Sequence, residues 1–319
     1  YRSAAAMKNE QEEKKMAKYT LNPLAGVNPP VVTIFDENGK IDYAANKKQA
    51  DFLIEKGVHG LAYLGTSGEF SLLTLEEKKE FIREMAAYVN HRANVIMGAG
   101  DTCLEVVQEL LKAGEEAGVD GFLIINPYYN IYTEKDVEAY YDVVAESTKL
   151  PIIIYNFPGL SGFGFQPPLV ERLVKKHRNI VGIKETVPDT EHIRAMLKIK
   201  EIAPYFNVYA AYECHAMTVL PLGADGFIGA TVNFAPEFTV KAFNAYKEGK
   251  IEEAAKYSLK MNEAMDVYGC STPLFLACKE AVYQRVLGED RHGERLPARP
   301  LTKEAKQQVG EILKRLGLL

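Results

Sequence analysis

The chain has 319 residues, of which 47% are apolar and 25% charged, with a formal net charge of −5 and a pI near 5.8. This is the composition of a soluble globular protein, and its acidity disfavours a nucleic-acid or anionic-membrane partner. No apolar run reaches the ~18 residues that a membrane span needs, and the length suits one large α/β barrel with an extension or two ordinary domains.

Residues 1–18 are polar and charged, with Lys-Asn-Glu-Gln-Glu-Glu-Lys-Lys at 8–15 and no apolar core for a signal peptide. Residues 1–6 read as foreign to the natural chain, with Met7 or Met16 as its start. From there short apolar runs alternate with amphipathic stretches. The first strand candidate is 30–35 (Pro-Val-Val-Thr-Ile-Phe), turned by Asp36-Glu37-Asn38-Gly39 into a helix over 43–56 that stops at Gly57. A second strand over 60–64 runs into the glycine-flanked loop Gly65-Thr66-Ser67-Gly68-Glu69. Thr74-Leu75-Glu76-Glu77 is a capping box that opens a helix reaching about Asn90. Strands over 94–98, 121–125, 151–155, 180–184, 207–211 and 226–229 follow, separated by helices over 102–117, 133–147, 168–176, 189–200 and 214–222.

Strict alternation predicts a parallel sheet, and eight repeats predict a closed (β/α)8 TIM barrel, an α/β fold, rather than an open sheet. Beyond about Glu237 only helical periodicity remains, over 238–247, 251–268, 273–287 and 302–316. The first of these closes the barrel; the rest are expected to cover one end of it or to pack between subunits. The expected division is a disordered tail over 1–20, a catalytic barrel over 21–250 and a C-terminal helical extension over 251–319.

In such barrels the reactive residues lie on the loops that follow the strands. After the second strand come Thr66, Ser67 and Glu69; after the fourth, Tyr128 and Tyr129. The fifth strand ends on Tyr155, and the seventh gives Tyr212 and Glu213. The sixth, Ile180-Val181-Gly182-Ile183-Lys184-Glu185-Thr186, ends on a lysine, a residue seldom buried without a reason. At an ordinary pKa of ~10.4, about 4 in 10⁴ lysines are neutral at pH 7. Burial disfavours the charged form, and a pKa lowered to ~7–8 frees an amine to attack a ketone and form a Schiff base. Plainer alternatives exist: Lys184 snorkelling to solvent, residues 65–68 as a tight turn rather than a carboxylate-holding nest, Tyr155 as packing rather than a proton relay. Hydroxyls, phenols and one lysine converging on one face favour the chemical reading.

Other constellations fail. The six histidines form no His-x-His or His-Glu-x-x-His pair, so no metal-ligand set is visible. Gly98-Ala99-Gly100 lacks the third glycine of a dinucleotide fingerprint, Cys103 standing there instead. Cys214-His215 reads as packing, since adjacent helix residues point apart. The four scattered cysteines read as reduced thiols of a cytoplasmic protein.

Gly65-Thr66-Ser67-Gly68-Glu69, Tyr155-Asn156-Phe157-Pro158 and Gly182-Ile183-Lys184-Glu185 resemble, in order and spacing, three signatures of the dihydrodipicolinate synthase / N-acetylneuraminate lyase family, the pyruvate-dependent class I aldolases. The resemblance runs from about Gly26 to the C-terminus. It implies that Lys184 forms a Schiff base with pyruvate or a keto acid, and that Tyr155 relays protons. Gly65, Thr66 and Ser67 are then expected to hold the pyruvate carboxylate, and Thr186, Tyr212, Glu213 and Ile228 to contact the rest of the substrate. Tyr129 resembles the family tyrosine that reaches a neighbouring subunit's site and completes a Thr–Tyr–Tyr relay with Thr66 and Tyr155. A homo-oligomer, dimer or tetramer, acting on small molecules without metal or other cofactor, is implied.

Within the family, the synthase has an arginine where this chain has Leu160, and losing a bidentate carboxylate clamp weakens that reading. The sialic-acid lyases read Gly-Tyr-Asp-Glu where this chain reads Ala211-Tyr212-Glu213-Cys214, and have a serine where it has Ala230. Asn126-Pro127-Tyr128-Tyr129 and Tyr155-Asn156-Phe157-Pro158-Gly159-Leu160-Ser161-Gly162 look most like the bacterial 2-keto-3-deoxy sugar-acid aldolases. The expected function is cleavage or formation of such an acid, with the synthase and the sialic-acid lyase as alternatives and a non-catalytic keto-acid-binding barrel as a remote one.

Overall fold

The strands read as near-continuous apolar runs because each is covered on both faces, by the barrel interior and by a helix. The computed structural model describes residues 24–288 and 293–319, so the tail expected over 1–20 lies outside the described residues. Eight parallel strands, β1 (Gly26–Val27), β2 (Gly60–Tyr63), β3 (Asn94–Gly98), β4 (Gly121–Ile125), β5 (Ile152–Asn156), β6 (Ile180–Glu185), β7 (Asn207–Ala210) and β8 (Gly226–Phe227), run in the order β1-β8-β7-β6-β5-β4-β3-β2. Three hydrogen bonds of 2.9 Å span the remaining seam: His59 N–H to Val27 O, Ala62 N–H to Pro29 O and Val31 N–H to Ala62 O. The ring is thereby brought almost to closure, the TIM barrel that the alternation predicts.

The first strand lies earlier than the expected 30–35. Pro29 and Pro30 have no N–H to donate to a ladder. Pairing with β8 stops at Val27, and the expected stretch keeps only single bridges, Pro30 to Ala62 and Phe35 to Ile41.

Helices α1 (Tyr43–Glu55), α2 (Leu75–Val89), α3 (Leu104–Ala117), α4 (Glu134–Glu146), α5 (Pro167–Lys176) and α6 (Thr190–Leu197) connect successive strands. The Thr74 hydroxyl accepts from Glu77 N–H while the Glu77 carboxylate accepts from Thr74 N–H, so the capping box forms as read; Thr133 and Asp136 build a second one on α4. The helix expected over 214–222 is instead two short turns, Glu213–His215 and Ala216–Val219. After β8 come α7 (Pro236–Lys247), α8 (Ile251–Ala264), α9 (Phe275–Val282) and α10 (Lys303–Arg315). The long helices expected over 251–268 and 273–287 tighten into a 3₁₀ turn at Met265–Cys270 and widen into a π turn at Tyr283–Leu287. No helix among the described residues is long and apolar enough to cross a membrane.

Where β1 meets β8 the backbones touch. A Cβ on Gly226 would lie 1.9 Å from the Gly26 carbonyl oxygen, so no side chain fits without parting the strands. Gly226→Ala is expected to lose about 1–3 kcal/mol of unfolding free energy, the range for overpacking a core. Urea unfolding with an unchanged midpoint would show that the seam yields.

Candidate active site

The register of β5 against β6 decides what faces the barrel interior. Ile152 pairs with Ile180, but Ile153 pairs with Gly182, a shift of one residue. Beyond it Tyr155 stands opposite Lys184, and Asn156 opposite Glu185. Because side chains alternate along a strand, Tyr155 and Lys184 share the inner face and Asn156 and Glu185 the outer one. Lys184 is 3% exposed, and its Nζ sits 4.0 Å from the centroid of the Tyr155 ring. It has no carboxylate partner among the described residues. The Tyr155 hydroxyl in turn shares a hydrogen bond of 3.1 Å with Thr66 Oγ1, from the loop after β2.

These residues line a cavity of about 680 Å³ at the carboxyl ends of the strands. Of the residues singled out from the sequence, Thr66, Ser67, Tyr155, Lys184, Thr186, Tyr212 and Ile228 line it together. Thr186 Oγ1 is buried in its wall without a hydrogen-bond partner, free to meet a ligand hydroxyl. Tyr128 also faces the cavity, its ring edge-on to Phe70 and its phenol pKa raised by burial.

Three expected residues are placed elsewhere. Gly65 does not line the cavity; its carbonyl accepts from Phe70 N–H at 3.4 Å and closes the loop turn. Glu213 lies behind the wall, fully buried, where its carboxylate accepts from Thr231 N–H, Thr231 Oγ1 and the Tyr268 hydroxyl. Burial holds its pKa above the usual carboxylate range. It therefore fastens the β8 loop to the C-terminal helices, and Gly229 leaves room for it: a Cβ there would meet Glu213 at 2.2 Å. Tyr129 is 95% exposed, at a φ of +78°, and lies outside the cavity of its own chain.

The sequence did not single out part of the lining: Met265, Tyr268, Pro273, Leu274 and Phe275, between and within the helices after β8, line the cavity together with Phe157 and Leu160. Only the apolar periodicity of the extension hinted at this, and periodicity does not say what a helix faces. Lys184 is the sole cationic side chain lining the cavity among the described residues; Glu69 is the sole carboxylate, and it is paired with Lys279.

Behind the sheet, Asn156 Nδ2 donates to Glu185 Oε2 at 2.7 Å, and His192 Nε2 of α6 lies 3.4 Å from Glu185 Oε1. This bracket ties together the two strand ends that carry Tyr155 and Lys184.

A barrel with a buried lysine, a tyrosine against it and a hydroxyl relay at its carboxyl mouth has the parts of a Schiff-base lyase. A model of the dihydrodipicolinate synthetase family matches residues 23–316, and the chain belongs to that family. YagE of Escherichia coli K12, named provisionally as a 2-dehydro-3-deoxy-D-gluconate aldolase, is 37% identical over 295 residues, 92% of this chain and 97% of YagE. YjhH of the same organism, named provisionally as a 2-dehydro-3-deoxy-D-pentonate aldolase, is 35% identical over 300 residues, 94% of this chain and 99% of YjhH. A crystal structure of YagE in complex with pyruvate superposes with a TM-score of 0.89 at 36% identity, covering 93% of this chain and 99% of that one. A 4-hydroxy-tetrahydrodipicolinate synthase of Alkaliphilus oremlandii is 32% identical over 295 residues, 92% of this chain and 99% of that protein.

The Glu185 carboxylate beside His192 raises the imidazole pKa above its ordinary 6.5. A raised folded-state pKa contributes stability that is full below the unfolded value and lost as pH rises through the folded one. The stability difference between the native protein and His192→Asn is therefore expected to be larger at pH about 6 than at pH about 8.5. Urea unfolding at the two pH values checks this; a difference that grows with pH contradicts the pairing.

Proposed function

We propose that the protein is a Schiff-base aldolase that cleaves, or forms, a 2-keto-3-deoxy sugar acid, with pyruvate and a hydroxyaldehyde as the two halves. The observation that carries this reading is Lys184, buried and without a carboxylate partner, held against the Tyr155 ring at 4.0 Å. An amine bound in an ion pair would have to give up that pair to attack a carbonyl; this one has none to give up.

In the cleavage direction the Lys184 amine adds to the C2 carbonyl and water leaves, giving a protonated imine. The Tyr155 oxygen takes the proton of the C4 hydroxyl while passing its own along the hydrogen bond to Thr66, which gives up its hydroxyl proton to water. The C3–C4 bond breaks, its electron pair passes into the imine, and an aldehyde departs. C3 of the resulting enamine is protonated through the same relay, and water then releases pyruvate and free lysine. Thr66 and Ser67 hold the carboxylate, and Thr186 and Tyr212 take hydroxyls of the remaining chain beside Ile228. The chemistry calls for no metal or bound cofactor.

A sugar acid carries its one carboxylate next to the keto carbon, so the far end of the cavity has no charge to match. That agrees with a lining whose only cation among the described residues is Lys184 and with Leu160 at the lip. A second carboxylate, as on aspartate semialdehyde, would lie there uncompensated, which speaks against the synthase. The names of YagE and YjhH support the same substrate class. Tyr129, exposed and outside its own cavity, is suited to complete the relay of a neighbouring subunit in a homo-oligomer, dimer or tetramer, of a cytoplasmic enzyme.

Pyruvate with borohydride is expected to leave a reduced adduct on Lys184 in the peptide mass spectrum, absent from Lys184→Ala; a pyruvate-treated protein with Lys184 unmodified rules out the mechanism. Tyr155→Phe is expected to cut turnover by about 10²–10⁴ with substrate binding largely kept, as for loss of a proton-transfer group. In a panel of keto-deoxy acids, pyruvate release from 2-keto-3-deoxygluconate or its pentonate counterpart is expected. Condensation of pyruvate with aspartate semialdehyde at a comparable rate would favour the synthase instead.

A further inference from the structure

A second lysine is buried beneath the cavity, and the carbonyl chemistry makes no use of it. Lys279, on α9, has a side chain 1% exposed and forms an ion pair with Glu69, whose side chain is wholly buried. The two come from distant parts of the chain: Glu69 ends the loop after β2, and Lys279 belongs to the helices after β8. The ring of Phe35 lies 4.7 Å from Lys279 Nζ, so the pair sits against an aromatic face and not in water. Burial pushes the Glu69 pKa up and the Lys279 pKa down, while each partner's charge opposes the shift of the other; Glu294 and Arg295 add smaller, opposing influences.

The loop that Glu69 ends is the one that carries Thr66 and Ser67. Its backbone is held in a tight turn, Glu69 N–H donating to Thr66 O at 3.1 Å and Thr33 Oγ1 donating to Gly68 O at 2.7 Å. Glu69 itself has a φ of +55°, a left-handed conformation that a residue with a side chain adopts at a cost. Such a conformation persists only where the surroundings hold it. Thr33 grips the loop through a carbonyl, and Glu69 O accepts from Leu72 N–H at 2.9 Å; the grip on the Glu69 side chain comes from Lys279.

We propose that Lys279 is a positioning residue for the substrate carboxylate: its ammonium anchors Glu69 and thereby fixes the 66–69 loop against the C-terminal helices. This rests on the reading of Thr66 and Ser67 as the holders of that carboxylate. The pair acts in two ways. It supports the strained turn, and it neutralises a carboxylate in the wall that would otherwise repel the substrate's own. Removing one member of a buried pair leaves an uncompensated charge, so the single loss weighs more than the loss of both.

The test is borohydride trapping over a range of pyruvate concentrations, run beside hydroxyacetone, a ketone with no carboxylate. Lys279→Met is expected to raise the half-saturating pyruvate concentration about tenfold, within the range for coupled neighbours. The hydroxyacetone value is expected to move less than about twofold, and the double variant Glu69→Gln/Lys279→Met to recover part of the pyruvate shift. Glu69→Gln alone keeps the side-chain shape and carries the same comparison should Lys279→Met not fold. Half-saturation unchanged for pyruvate, or shifted equally for both ketones, overturns the proposal, since a general loosening of the fold treats the two alike. A native protein that neither ketone labels instead overturns the Schiff-base reading, and this inference with it.

Discussion

The one-residue shift in register between β5 and β6 is the constraint on which the site depends. It sets Lys184 opposite Tyr155 on the inner face. The same shift sets Asn156 opposite Glu185 on the outer face, and the hydrogen bond between them locks the strand ends. One irregularity thus supplies both the inner contact, an amine over an aromatic ring, and the outer bracket that preserves it. Register in a sheet with both faces buried is strongly specified, because any slip would exchange the inner set of side chains for the outer one.

A second theme is how far the helices after β8 are integrated with the barrel. They do more than cover it. Tyr268 reaches a carboxylate from the loop after β7, and Lys279 reaches a carboxylate from the loop after β2. The second is fully buried and the first partly so, and both bear on loops that line the cavity. A charge placed in a dry interior is costly unless paired, so each contact exists only when the extension is seated. The loops that line the cavity and the extension are therefore joined by side-chain contacts as well as by packing.

The cavity is chemically lopsided. Its lining joins a polar, reactive set, Lys184, Tyr155, Thr66 and Ser67, to an apolar one, Leu160, Phe157, Met265, Leu274 and Phe275. On the proposed function, covalent attachment to Lys184 would reduce what the rest of the cavity must contribute to affinity, and leave it to discriminate by shape and by hydroxyls such as those of Thr186 and Tyr212. Relatives in the same family accordingly bear names for different substrates, since a fold does not fix its substrate.

The sequence by itself determined the alternation of strands and helices, the ends of α2 and most other barrel helices, and the lysine and tyrosine at the ends of β6 and β5. These follow from local causes: hydrophobic period, capping residues, and the rule that reactive side chains follow barrel strands. It placed the first strand too late, because pairing depends on which N–H groups the neighbour can reach, and Pro29 and Pro30 have none. It drew attention to Glu213 by residue type and by position after β7, but not to the partners of its carboxylate. Only the tertiary structure decided that Thr231 and Tyr268 claim that carboxylate, that Lys279 claims Glu69, and that a register shift sets Lys184 opposite Tyr155. Each of these joins residues far apart in the chain or on separate strands, where spacing along one segment carries no information about which groups meet.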